Sequence, residues 1–125
     1  MRKRLSELEQ LVMDYVWRNP GCTVSACRDA IASMRPLKET TVRTLFQRLE
    51  TKGYVTHKID GRTFLYRAAE GRQSVAAAAV KQIVDRFCGG SLEELLVGLV
   101  DNDVVSRKEL QQLTRRIASK KRGGK

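Results

Sequence analysis

Residues 40–67, TTVRTLFQRLETKGYVTHKIDGRTFLYR, constrain this chain more than any other stretch. The first half carries one apolar stripe at helical spacing, Val42, Leu45, Phe46 and Leu49. The second half reads as two short strands, 54–59 and 63–68, joined by Asp60-Gly61, a dipeptide typical of a tight hairpin turn. Gly53 stands between helix and hairpin, where a helix C-cap belongs. A helix that stops on a glycine and runs straight into a hairpin leaves few folds open.

The residues upstream narrow them further. Leu8, Leu11, Val12 and Tyr15 recur at helical spacing over 6–18, Ser6 with Glu9 fits a capping box, and Asn19-Pro20-Gly21 ends the helix. A second helix is expected over 24–34 with Cys27, Ala30 and Ile31 buried. It ends at Arg35-Pro36, because the residue before proline is driven out of helical geometry. The third helix starts between Lys38 and Thr41 and runs to Lys52. Helix, helix, helix, hairpin is the order of a winged helix-turn-helix domain, expected over residues 1–70.

Beyond the turn Glu70-Gly71-Arg72 the pattern is wholly helical. Val80, Ile83, Val84 and Phe87 share a face of a helix closed by Gly89-Gly90. Ser91 caps a helix bearing Leu92, Leu95, Leu96 and Leu99, and Ser106 with Glu109 opens one bearing Leu110, Leu113 and Ile117. Residues 121–125 read as a basic, disordered tail. The expected fold is therefore mainly α with a small β-hairpin: a winged helix followed by a three-helix domain over 73–120.

Charge selects the partner. The chain has 24 Lys and Arg against 14 Asp and Glu, a net +10, which favours a polyanion, nucleic acid before membrane. No apolar run approaches the roughly 20 residues that span a bilayer, so no membrane insertion is expected. MRKRLSELEQ leads into an amphipathic helix, not a signal-peptide core, and the chain reads as cytoplasmic. Cys22, Cys27 and Cys88 form no CxxC pair and are most simply small buried hydrophobes. His57, the single histidine, alternates with Thr56 and Lys58 on a strand and reads as part of the wing. With no phosphate loop and no metal-ligand spacing, no enzyme activity, metal or cofactor is expected.

On a wheel of about 100° per residue, Thr40, Thr44, Gln47 and Thr51 lie opposite the stripe of the third helix. Arg43 and Arg48 flank them. Arginine pairs with guanine, glutamine with adenine, and threonine with a phosphate or a thymine methyl, so this face suits a major groove. Lys38 and Thr41, at the helix start, belong to the end that enters deepest. The hairpin adds Lys58 before its tip and Arg62 after it, placed for a phosphate or the minor groove. Any surface helix has a polar face, and seven Lys/Arg against three Asp/Glu over 38–67 is a modest excess. The domain order and the charge of the whole chain turn the balance towards double-stranded DNA.

Residues 73–120 pose a different problem. Their three apolar stripes, with almost no aromatics, belong to a unit too small to stand alone. Either the helices fold back on their own winged helix, or two copies share one core about a two-fold axis. The shared core is the simpler arrangement and makes the chain a homodimer. It would draw on Val80, Ile83, Val84, Phe87, Leu92, Leu95, Leu96, Leu99, Leu110, Leu113 and Ile117.

Thr40-Thr41-Val42, Thr44, Arg48-Leu49, Lys52-Gly53, Gly61-Arg62, Phe64 and Tyr66 also fit a family pattern: TTV-x-T, RL-x-x-KG, GR-x-aromatic-x-Y. In these motifs the chain resembles the penicillinase-repressor transcriptional regulators of BlaI, MecI and CopY type. The likeness extends upstream through Glu7-Leu8-Glu9 and Trp17 and downstream through FCGGSLEELLVGLV. It implies a winged-helix homodimer that represses by sitting on a dyad operator and is released by an inducing signal. In many members that signal is a sensor-activated protease cutting an Asn-Phe pair, and here Gly98-Leu99 occupies the place. The copper-sensing branch pairs cysteines near its C-terminus, whereas this chain has none after Cys88.

Overall fold

A computed structural model describes residues 3–124, without the side chains of 121–124. The last helix runs on through 121–124, where a disordered tail was expected, and Lys125 lies outside the described residues. In order the elements are α1 (Glu7–Arg18), α2 (Val24–Ile31), α3 (Glu39–Thr51), β1 (Val55–Asp60), β2 (Thr63–Ala68), α4 (Arg72–Phe87), α5 (Leu92–Asp101) and α6 (Arg107–Gly124).

The capping box at α1 forms as its sequence requires: the Glu9 N–H donates to Ser6 Oγ at 3.2 Å and the Ser6 N–H to Glu9 Oε1 at 2.8 Å. The buried face of α1 is rotated from the expected one. Val12, Met13 and Val16 are buried, while Leu8, Leu11 and Tyr15 pack half-buried at the rim. The cause is Glu9, only 1% exposed, which turns inward to meet Lys52 Nζ at 2.6 Å. A carboxylate is not read as a core residue from periodicity, so the apolar positions alone misplace the axis. On α2 the inward side chains are Val24, Cys27 and Ile31; Ala30 is exposed, and the helix ends at Ile31, short of the expected residue 34.

The stripe of α3 is buried as expected, at Val42, Leu45, Phe46 and Leu49. At its end Gly53 has φ 86°, and the N–H groups of Gly53 and Tyr54 reach the carbonyls of Glu50 and Leu49 at 3.0 and 2.9 Å. This double closure is a Schellman motif, and its left-handed residue favours glycine. The hairpin pairs Val55 with Ala68 through Asp60 with Thr63. The two turn residues are thus Gly61, at φ 66°, and Arg62, one position later than expected. Arg62 is at the tip itself. Cys22 adds an antiparallel bridge to Tyr66, its carbonyl accepting from Tyr66 N–H at 2.7 Å, so the extended piece before α2 becomes a rudimentary third strand.

The chain divides into two units, Met1–Ala76 and Ala77–Lys125, with the boundary inside α4 a few residues beyond the Glu70-Gly71-Arg72 turn. The first unit has one continuous core of α1, α2, α3 and the base of the hairpin, sealed by Phe46 against Tyr66 with ring centroids 4.4 Å apart. In the second unit Val84 is the only buried hydrophobic among the described residues. No helix of the described residues is long and apolar enough to cross a membrane.

Candidate nucleic-acid interface

All nine residues expected to contact DNA are exposed: Lys38, Thr40, Thr41, Arg43, Thr44, Gln47, Arg48, Lys58 and Arg62. Only three of them converge. A cleft of about 390 Å³ opens between α3, the start of α2 and the hairpin, and Arg43, Gln47 and Arg62 line it. The wheel explains the selection. Burying Val42 and Phe46 turns the Arg43 edge of α3 towards the wing and leaves Arg48 on the opposite edge. The pairing register separates the two wing cations: Lys58 opposes Leu65, on the other strand face from Tyr66 and Phe64. Thr44 gives its hydroxyl hydrogen to the Thr40 carbonyl at 3.0 Å, which leaves its oxygen and methyl to face outward.

Several cleft residues were not legible beforehand. Thr23 and Ser25 come from the start of α2, and Thr63 and Phe64 from the wing. Thr23 is the α2 N-cap, accepting from the Ala26 N–H at 3.1 Å. Its helix start therefore faces the cleft, where free amides and the positive end of the dipole favour an anion.

Glu39 is the second surprise. Its Oε1 accepts from Ser25 Oγ at 3.0 Å and pairs with Arg28 at 3.1 Å, while its Oε2 pairs with Arg43 at 3.1 Å. The Ser25 hydrogen bond, then that of Arg43, holds its carboxyl below the usual carboxylate value. The i,i+4 relation of Glu39 to Arg43 was visible in the sequence. The link to Ser25 and Arg28 needs the turn between α2 and α3. One acid thus ties the two helices and fixes the arginine at the cleft edge.

The wing is braced from α3. His57 Nδ1 lies 2.8 Å from Glu50 Oε2, and its ring stacks on Phe64 at 4.1 Å with planes 6° apart. His57 is therefore a strut between wing and helix. Burial pushes the Cys27 thiol up to about 12 and raises Cys22 as well, so neither favours the reactive thiolate. Among the described residues no group of His, Cys, Asp or Glu is arranged to hold a metal ion.

The sequence model of the Penicillinase repressor family matches residues 5–119. The chain is 34% identical over 122 residues to the transcriptional regulator BlaI of Mycobacterium tuberculosis, covering 96% of this chain and 87% of that protein. It is 26% identical over 117 residues to the methicillin resistance regulatory protein MecI of Mammaliicoccus sciuri, covering 94% of each. Among solved structures, the DNA-binding domain of the repressor BlaI superposes with a TM-score of 0.51 at 24% identity, over 58% of this chain and 90% of that one. BlaI of Bacillus licheniformis, solved as a monomer in complex with the blaP half-operator, gives 0.50 at 22% identity, over 58% and 89%. The first unit has this winged-helix fold, and with the family match running on through α4 and α5 into α6, the chain belongs to the penicillinase repressor family.

Proposed function

We propose that the chain is a sequence-specific transcriptional repressor that binds a dyad operator as a homodimer, in the cytoplasm. The observation that carries this is the cleft, where two base-reading side chains of α3, Arg43 and Gln47, meet the cationic wing tip at Arg62. Arg43 and Gln47 read base edges in the major groove, and Arg62 and the start of α2 hold the phosphate backbone. Lys38 at the α3 N-cap, Thr40 and Thr44 beside Gln47, and Thr41 and Arg48 on the other edge of α3 are all exposed and serve as flanking contacts, with Lys58 on the outer face of the wing.

The second unit supplies the homodimer. In the single chain Phe87 is 75% exposed and Ile117 63%, and Val80, Ile83, Leu92, Leu96 and Leu113 are open too. Leu95, Leu99 and Leu110 are half-buried. Val84 is already buried in the single chain. A second copy covers the rest by two-fold symmetry. Release by a sensor-activated protease is the matching off-switch, with an obstacle here. Gly98-Leu99 lies inside α5, and a protease needs an extended segment, so that helix must open first.

Binding of a dyad duplex from upstream of the gene, compared with random duplex, tests the function. Arg43→Ala should cost about 1–3 kcal/mol on the dyad and relax preference at one position, and Arg62→Ala should weaken every duplex and lower the salt slope by about one. Equal weakening of dyad and random duplex by Arg43→Ala makes it a phosphate contact and the protein a non-specific binder.

A further inference from the structure

The last helix of this chain is its most one-sidedly charged segment. Residues 107–125 hold eight Lys and Arg against one Asp or Glu, so most of the net +10 sits on the last nineteen residues. That single acid, Glu109, is occupied: its Oε1 accepts from the Ser106 N–H at 2.9 Å in the α6 capping box. Arg107, Lys108, Arg115, Arg116 and Lys120 are all exposed and have no ion pair among the described residues. In the first unit, by contrast, Arg28, Arg43, Lys52 and Arg72 are each bound to an acid.

Helix chemistry does not explain these cations. Arg107 and Lys108 stand in the first turn of α6, at the positive end of its dipole, where a cation destabilises the helix. At about 100° per residue Lys108 and Arg115 lie opposite the stripe of Leu110, Leu113 and Ile117, Arg107 and Arg116 flank it on either side, and Lys120 stands at its edge beside Leu113. The apolar stripe faces protein, and the basic face is left to solvent or to a polyanion.

We infer that this face of α6 is a second nucleic-acid contact, sequence-independent and directed at the phosphate backbone of double-stranded DNA. The inference rests on the DNA-binding function above and adds a surface to it. Lys108 and Arg115 stand about 10 Å apart along the helix, and a duplex offers about one charge per 1.7 Å, so several side chains find phosphates together. The face carries no aromatic, and charge dominates it, with Gln111 and Gln112 among its cations. An anionic membrane would suit the charge. The narrow stripe beneath it, without a Trp or Phe, does not suit the apolar side of a membrane-surface helix.

The test uses the full chain with Arg115→Gln, Arg116→Gln and Lys120→Gln combined, on random and dyad duplexes across a salt series. Glutamine keeps the helix. The salt slope should fall by about two to three units and affinity by roughly tenfold or more on both duplexes, leaving their ratio unchanged. Arg43→Ala, run beside it, should do the opposite and collapse the ratio, so failure of the operator reading shows separately. A second variant, Arg107→Gln with Lys108→Gln, relieves the dipole conflict. It should raise thermal stability while weakening DNA binding, a split that a structural role cannot produce. Unchanged slopes in both variants overturn the inference. So does an unchanged DNA slope with loss of binding to phosphatidylglycerol vesicles, which would assign the face to membrane.

Discussion

The two units of this chain solve the burial problem in different ways. The first closes its own core: three helix faces and the hairpin base shut around Phe46, Met13 and Leu49, and its buried acid has a partner in Lys52. The second keeps only Val84 from solvent among the described residues and leaves Phe87, Val104 and Ile117 open. Both have amphipathic helices of similar quality, so amphipathicity does not decide independence. The number of apolar faces that converge decides it. A unit whose stripes have no opposite number within the chain is built to be completed by another molecule.

Leu96→Asp tests that contrast most severely. Leu96 is 37% exposed in the single chain, so an aspartate there is tolerated in a monomer, but in a shared core it must be desolvated twice. The expected product is a monomer whose first unit stays folded and whose operator affinity falls on the order of 10²-fold, because two half-sites are no longer linked. Sedimentation and operator binding on the same sample decide it. A variant that stays dimeric and binds normally would mean that these helices are completed in some other way.

Acid should act on the first unit. Burial pushes the Glu9 carboxyl up, but the hydrogen bonds from Lys52 and Ser6 and the charge of Lys52 outweigh it and hold it below the usual carboxylate value. The ionised form is thus favoured by the fold. Its stabilisation is complete above the usual carboxylate range and is lost as pH falls through the lowered value. Glu9→Gln should cost on the order of 1–3 kcal/mol at neutral pH, less than a fully enclosed pair would, since Lys52 is partly exposed. It should also flatten the acid limb of the melting-temperature profile. An unaltered limb would show that another carboxyl governs acid unfolding.

How much was readable beforehand follows the same division. The helices of the second unit are announced by their own stripes, and α5 and α6 begin where Ser91 and Ser106 predict. Local chemistry sets such boundaries. The α3 stripe, Gly53 and the strand 63–68 were legible for that reason. The misses that bear on the site depend on contacts between elements. The rotation of α1 needs Lys52, far along the chain, to accept Glu9. The cleft role of Ser25 and Phe64 needs the α2–α3 turn and the hairpin register. Arg48 and Lys58 looked equivalent to Arg43 and Arg62 because a wheel shows which residues are exposed, not which edge meets the wing.

Glu39 carries the contrast down to a single atom pair. In the first unit Arg28, Arg43, Lys52 and Arg72 are held by acids; on α6 the cations have no ion pair among the described residues. If pairing orients a side chain for reading, then Glu39→Gln should have a signature that separates orientation from charge. Removing a negative charge beside the cleft lowers repulsion of phosphates, so random duplex should bind somewhat more tightly. Releasing Arg43 from its 3.1 Å contact lets the guanidinium wander, so discrimination between dyad and random duplex should fall, by less than Arg43→Ala removes. The fold should not suffer, because exposed ion pairs contribute little. The two quantities therefore move in opposite directions, tighter and less selective. Tighter binding with the ratio intact would make Glu39 a repulsive charge and nothing more. No change in either would place the acid, and with it the start of α3, away from the DNA.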